Sequence, residues 1–181
     1  MIRAVILTLA LASPAAAAEF EFCWVGANDY TMTGRMTVPD AALAGIVTQD
    51  DVTAFSITGF YRGLPVGSWD LADLTPTTTW HLRFDPATMT FPTGGMHNSA
   101  NGQAWNANGA VNDCGNPGFG FNSGTNAQDV CVNGRFITDS SIDRYTEFPV
   151  FPAGVALQCG GAALLSRGFD PETPTTRESP G

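Results

Sequence analysis

Apolar and polar residues alternate with a period of two along most of this chain, which is the pattern of half-buried β-strands. Phe20, Phe22 and Trp24 fall on one face of a first strand, with Glu21 and Cys23 on the other. Tyr30, Met32, Met36 and Val38 then alternate with Thr31, Thr33, Arg35 and Thr37 until Pro39, which offers no ladder donor and ends the strand. Asp40 to Gly45 predicts a single helical turn with Asp40 as its N-cap. Phe55 and Ile57 mark a strand from about Val52 to Tyr61, and Arg62-Gly63 turns it back into Leu64 to Leu71. A second hairpin is expected where Trp80, Leu82 and Phe84 alternate with His81 and Arg83, Asp85-Pro86 turns the chain, and Met89 and Phe91 return. Strand character resumes over Gln128 to Val132, Asn133-Gly134 predicts a further tight turn, and Arg135 to Thr138 continues. The run Phe148 to Leu165, which carries Pro149, Pro152 and Gly154, predicts one or two edge strands.

Roughly eight to ten short strands with no amphipathic helix of ordinary length predict an all-β fold. The expected architecture is an antiparallel β-sandwich, jelly-roll-like, with a barrel as the alternative. An α/β fold is excluded, because parallel strands need long and usually helical crossovers.

Residues 1–18 add an address to this picture. Arg3, the apolar run Ala4 to Ala12 and the small-residue end Ala16-Ala17-Ala18 predict a cleavable export signal, too short in its apolar part to span a bilayer. The chain then divides into a signal (1–18), a single sandwich domain (19–167) and a disordered, proline-bearing tail (168–181). All eight basic residues are arginine and 17 are acidic; loss of Arg3 with the signal leaves a charge of −10, which disfavours nucleic acid and anionic membrane as partners. The expected location is periplasmic or secreted, with no membrane span in the mature chain.

An oxidising compartment changes the reading of the four cysteines, which predict two disulfides rather than a redox or metal site. From Pro92 to Gly124 the composition turns to glycine and asparagine, with Asn101-Gly102 and Asn108-Gly109 as tight-turn dipeptides. A bridge between Cys114 and Cys131, 17 residues apart, would order this stretch by about 3 kcal/mol of chain entropy. Cys23 with Cys159 would then tie the first strand to the last. Four cysteines permit three pairings, so the connectivity stays open at this point.

Candidate chemistry is sparse. His81 lies on the polar face of a predicted strand and His97 in the glycine-rich loop, and no Gly-x-Ser-x-Gly elbow accompanies either. The cysteine spacings contain no zinc-like pair. Asn108, Asn112 and Asp113, with Asn106 nearby, offer oxygen ligands for calcium, although the order of acidic residues found in an EF-hand is missing. Trp105 with Asn106, Asn108 and His97 forms a candidate ligand-binding set, an aromatic platform among amides; the favoured role for Trp105 is nevertheless a buried anchor, which a loop poor in apolar residues needs.

The series Tyr30-Thr31-Met32-Thr33-Gly34, Val52-Thr53-Ala54-Phe55-Ser56-Ile57, Leu82-Arg83-Phe84-Asp85, Gly102-Gln103-Ala104-Trp105-Asn106, Gly118-Phe119-Gly120-Phe121 and Val132-Asn133-Gly134 resembles exported bacterial proteins of the PEP-CTERM-associated type. The likeness lies in strand and turn pattern over most of the mature chain, and implies fold and export without an activity. The chain departs from that group at its end, where Pro171-Glu172-Thr173-Pro174 is followed only by Thr175 to Gly181, so a free rather than anchored protein is implied.

The reading that follows is an exported, non-enzymatic β-sandwich module with a structural or binding role in the periplasm, envelope or extracellular matrix. The partner is left unknown, with a glycan or an envelope protein as the candidates, and no cofactor is called for. The alternative is a carbohydrate-binding protein or a secreted hydrolase with its site near loop 93–116, built on His97, Asp113 and Trp105.

Overall fold

The computed structural model describes residues 16–155, 158–159 and 162–163. Its strands are β1 (Ala17–Val25), β2 (Tyr30–Pro39), β3 (Val47–Thr48), β4 (Ala54–Tyr61), β5 (Leu64–Asp70), β6 (Trp80–His81), β7 (Arg83–Phe84) and β8 (Thr90–Phe91). They continue with β9 (Ala104–Trp105), β10 (Phe119–Ser123), β11 (Ala127–Val132), β12 (Arg135–Phe136), β13 (Ile142–Asp143), β14 (Phe148–Pro152), β15 (Gln158–Cys159) and β16 (Ala162–Ala163). One sheet runs β5-β4-β2-β1-β14-β8; the second runs β12-β11-β10-β9-β6, with β13 also on β11. Every pairing is antiparallel and neither sheet closes on itself, so the fold is the expected sandwich and not a barrel.

The period-two pattern explains why these segments pair as they do. Phe20, Phe22 and Trp24 of β1 and Met32, Met36 and Val38 of β2 all turn into one core. Phe22 sits opposite Gly34 in the β1–β2 register, and Gly34 opposite Ile57 in the next. Two of the turns read from sequence are formed as read: Arg62 (φ 51°) and Gly63 (φ 75°) link β4 to β5, and Asn133 (φ 51°) and Gly134 (φ 71°) link β11 to β12. Two consecutive residues at positive φ give the twist that matches a hairpin.

Four expectations change. Asp40–Ala44 is a 3-10 turn, but its cap is Pro39 with no side-chain hydrogen bond; Asp40 lies inside the turn, and its N–H donates to Ala16 O at 3.0 Å. The hairpin expected over 80–91 is not one unit. Trp80–His81 joins β9, Arg83–Phe84 joins β3, Thr90–Phe91 joins β14, and only Asp85 and Thr90 bridge directly. Each two-residue arm is captured by a different strand because Leu82, Phe84 and Phe91 are all drawn into the core. Of the run expected to be an edge, β15 and β16 form a separate two-stranded sheet, but the first part is interior: β14 lies between β1 and β8. Its donors alternate sides, Val150 to Met89 O at 2.9 Å and Ala153 to Glu19 O at 2.8 Å, so Pro149 and Pro152 each fall past the end of the ladder on their own side. Asn101-Gly102 does lie in a tight turn, but not at positive φ: it closes the 3-10 turn Ser99–Asn101, and a Cβ on Gly102 would lie 2.8 Å from His97 O.

Trp105 is the centre of the inter-sheet core. It is 0% exposed, with ring centroids of Phe55 and Phe121 at 4.9 Å, Phe91 at 5.1 Å, Phe22 at 5.5 Å and Phe148 at 5.7 Å. Such contacts contribute about 0.5–1.5 kcal/mol each beyond the burial of area.

At the outer edges, β5 carries Pro65, its register against β4 shifts at Gly59/Phe60, and β8 is two residues long and followed by Pro92. Ala17 and Ala18 pair with Pro39 and Val38 at the start of β1. The rest of the expected signal and the whole expected tail lie outside the described residues, as does the side chain of Cys159. Cys23 is not a free thiol. Its expected pairing with Cys159 falls on a residue whose side chain is not described, and the disulfide whose two halves are both described is Cys114–Cys131.

Candidate functional site

The outer face of the second sheet is where polar chemistry gathers. In β10 and β11 the register places Phe121 opposite Val130, both in the core, so their neighbours Asn122 and Asp129 are paired on the opposite, outward face, next to the Gly120–Cys131 pair. A segment spanning residues 106–118 lies across this face instead of solvent. Three things hold it down. The Cys114–Cys131 disulfide, Cα atoms 6.0 Å apart, ties it to β11, and Ala107, Val111 and the two cysteines form a small apolar cluster beneath it. The Asn106 amide donates to Cys114 O at 3.0 Å and to Phe119 O at 2.8 Å. Gly120 permits the close approach, since a Cβ there would lie 2.2 Å from Asn106 O.

Where the segment stops covering the sheet, a cavity of about 530 Å³ opens between Gly109–Val111, the Gly124–Ala127 turn, Phe136 and the Asn122–Asp129 pair. Asp129 is 6% exposed. It hydrogen-bonds with the Asn122 and Ser141 side chains, and its Oδ1 is buried without a partner. Burial pushes its carboxyl up from 3.8 to about 7, against the lowering effect of those two hydrogen bonds. Asp129 is the one ionisable residue lining the cavity, and Phe136, 42% exposed, forms an aromatic lip. A carboxyl that changes charge near neutrality, beside an amide, a hydroxyl and an aromatic face, can accept and donate hydrogen bonds to a polyhydroxylated molecule.

The residues singled out from sequence do not assemble into a site. Trp105 cannot serve as a platform because it is wholly enclosed by the core; the anchor role is the one it fills. Asn106 spends its amide on the covering segment. Asn108 and Asp113 serve the same turn: Asp113 Oδ1 accepts from Asn108 N–H at 2.7 Å, and Asn108 Oδ1 accepts from Ala110 N–H at 2.8 Å. Asn112 is exposed beside them. Among the described residues no group of three or more His, Cys, Asp or Glu is placed to hold a metal ion. His97 lies elsewhere, on the Gly94–His97 turn, and the ion pairs formed by described residues, Arg35–Glu21 and Arg62–Asp29, include neither histidine.

Asp129, Asn122, Ser141 and Phe136 were not among the sequence candidates. The available signal was an acidic residue within the otherwise apolar Val130-Cys131-Val132 neighbourhood of a central strand, where a charge is costly unless something covers and uses it. No helix of the described residues is long and apolar enough to cross a membrane. Comparison with protein-family models, with curated proteins and with solved structures finds no match to this chain.

Proposed function

We propose that this chain is an exported, non-enzymatic binding module whose ligand is a neutral, polyhydroxylated molecule of the glycan class, held in the Asp129 cavity. The observation that carries the reading is the buried Asp129 Oδ1 left without a partner at the wall of an open cavity. A buried acceptor of that kind costs about 1–3 kcal/mol until something donates to it, and a sugar hydroxyl would do so. Phe136 at the lip supplies the apolar face on which a sugar ring rests. The leader-like start and the Cys114–Cys131 disulfide support a periplasmic or secreted setting, and the resemblance to PEP-CTERM-associated exported proteins fits it. A hydrolase built on His97, Asp113 and Trp105 draws no support from the geometry, since Trp105 is core and Asp113 belongs to a turn.

The test is calorimetric titration with a panel of neutral mono- and disaccharides at pH 6, repeated with Asp129→Ala and Phe136→Ala. At least one sugar is expected to bind, with about a tenfold loss in each variant. Absence of binding across the panel, or native affinity in either variant, overturns the reading.

A further inference from the structure

A second cavity, of about 330 Å³, lies at the other side of the glycine-rich stretch and is lined by Ile46, Arg83, Pro92, Met96, His97 and Asn101. Its composition differs from that of the Asp129 cavity. Met96 is 76% exposed and Ile46 49% exposed, two apolar side chains held at the mouth of a concavity rather than folded inward. The same cavity is lined by an arginine without an acidic partner: among the described residues the ion pairs engage Arg35 and Arg62, not Arg83. With 17 acidic residues against eight basic ones in the chain, a guanidinium free of intramolecular carboxylate is available to one from outside.

Arg83 is also well positioned. Its N–H donates to Gln103 Oε1 at 3.3 Å, its carbonyl accepts from Gln103 Nε2 at 2.9 Å, and it pairs with Thr48 across β3–β7. The same Gln103 amide donates to Pro92 O at 3.1 Å, fixing a second residue of the lining. Arg83 therefore projects from anchored backbone into a cavity whose wall is pinned by the same side chain. The Asn101 and His97 side chains add hydrogen-bonding groups beside it.

We propose that this cavity binds a small free monocarboxylate with a short apolar tail. The carboxylate pairs with the fork of Arg83, and the tail covers Ile46, Pro92 and Met96, taking exposed apolar surface out of water. The volume is at the small end for ligand sites, which suits a chain of up to about eight carbons and excludes a bulky lipid.

Sodium octanoate is the probe, titrated into the full chain and followed by the Met96 methyl and His97 ring resonances. Saturable shifts at both are expected, with 1-octanol and octyltrimethylammonium at least tenfold weaker because neither can pair with a guanidinium. Arg83→Gln is expected to lose tenfold or more, and Met96→Ser, a change at an exposed position that leaves folding intact, several-fold. Asp129→Ala should leave octanoate binding unchanged, which separates this site from the glycan reading. Octanol binding as tightly as octanoate, no shift at Met96 and His97, or an Arg83→Gln variant of native affinity overturns the proposal. Tighter binding of acetyl-dileucine than of octanoate overturns it in favour of a peptide C-terminus.

Discussion

The two faces of the β10–β11 pair are built on opposite physical terms. The inward face is a continuous aromatic mass in which Trp105, Phe121, Phe22, Phe55 and Phe148 share contacts, so stability there is spread over many small terms. The outward face is covered by chain with little apolar content, held by one disulfide, one doubly used amide and one close backbone approach. The contrast teaches where a buried carboxyl can exist. Inside the aromatic layer it would be surrounded by rings and shut off from solvent, whereas beneath the covering segment Asp129 finds Asn122, Ser141 and an opening to solvent.

The largest break in this comparison is expected from Trp105→Ala, which should lower stability by about 3–5 kcal/mol in chemical denaturation. Trp105→Phe should cost well under half of that, because it keeps the ring contacts and removes a buried indole N–H that has no acceptor. Equal losses in the two variants would show that the core does not rest on ring packing at this position.

The covering layer should yield separately. Cys114→Ser combined with Cys131→Ser is expected to cost about 3 kcal/mol of stability. Amide exchange should quicken across residues 106–118 while β1, β2 and β4 stay protected. Exchange rising to the same degree in those strands would mean that the two layers are one cooperative unit.

The smallest effect, and the sharpest, is on pH. An aspartate in the unfolded chain releases its proton near 3.8, whereas Asp129 in the fold holds it until about 7. Between those values the folded state binds more protons than the unfolded one, so the contribution of Asp129 falls as pH climbs from about 4 to about 7 and is level above that. Allowing for solvent at the cavity mouth, the fall is about 2 kcal/mol. Asp129→Asn should flatten this part of a stability-against-pH profile. A profile unchanged by the substitution would show that Asp129 is not held protonated.

What was legible in the chain divides along the same line. The facing of Phe20, Phe22 and Trp24, of Met32, Met36 and Val38, and the turns at Arg62-Gly63 and Asn133-Gly134 depend on neighbours a few residues away, and local pattern is enough for them. The partners of Trp80–His81, Arg83–Phe84 and Thr90–Phe91 depend on which distant strand offers an open ladder, so a hairpin was the natural but mistaken reading. The candidate site was harder still. An aspartate in a strand reads as solvent-facing, and only the covering segment, closed by Cys114 and Cys131, turns position 129 into a buried one. Trp105 was legible as a buried anchor, because a loop poor in apolar residues needs one, but its partners Phe22 and Phe55 come from distant strands and were not.

The borders of the first sheet bear on life in a crowded compartment. A passing copy that tried to extend the ladder would find two residues and then Pro92 at one side, and Pro65 beside a register fault at the other. Each interruption shortens the regular rim on which a strand from another molecule could be laid.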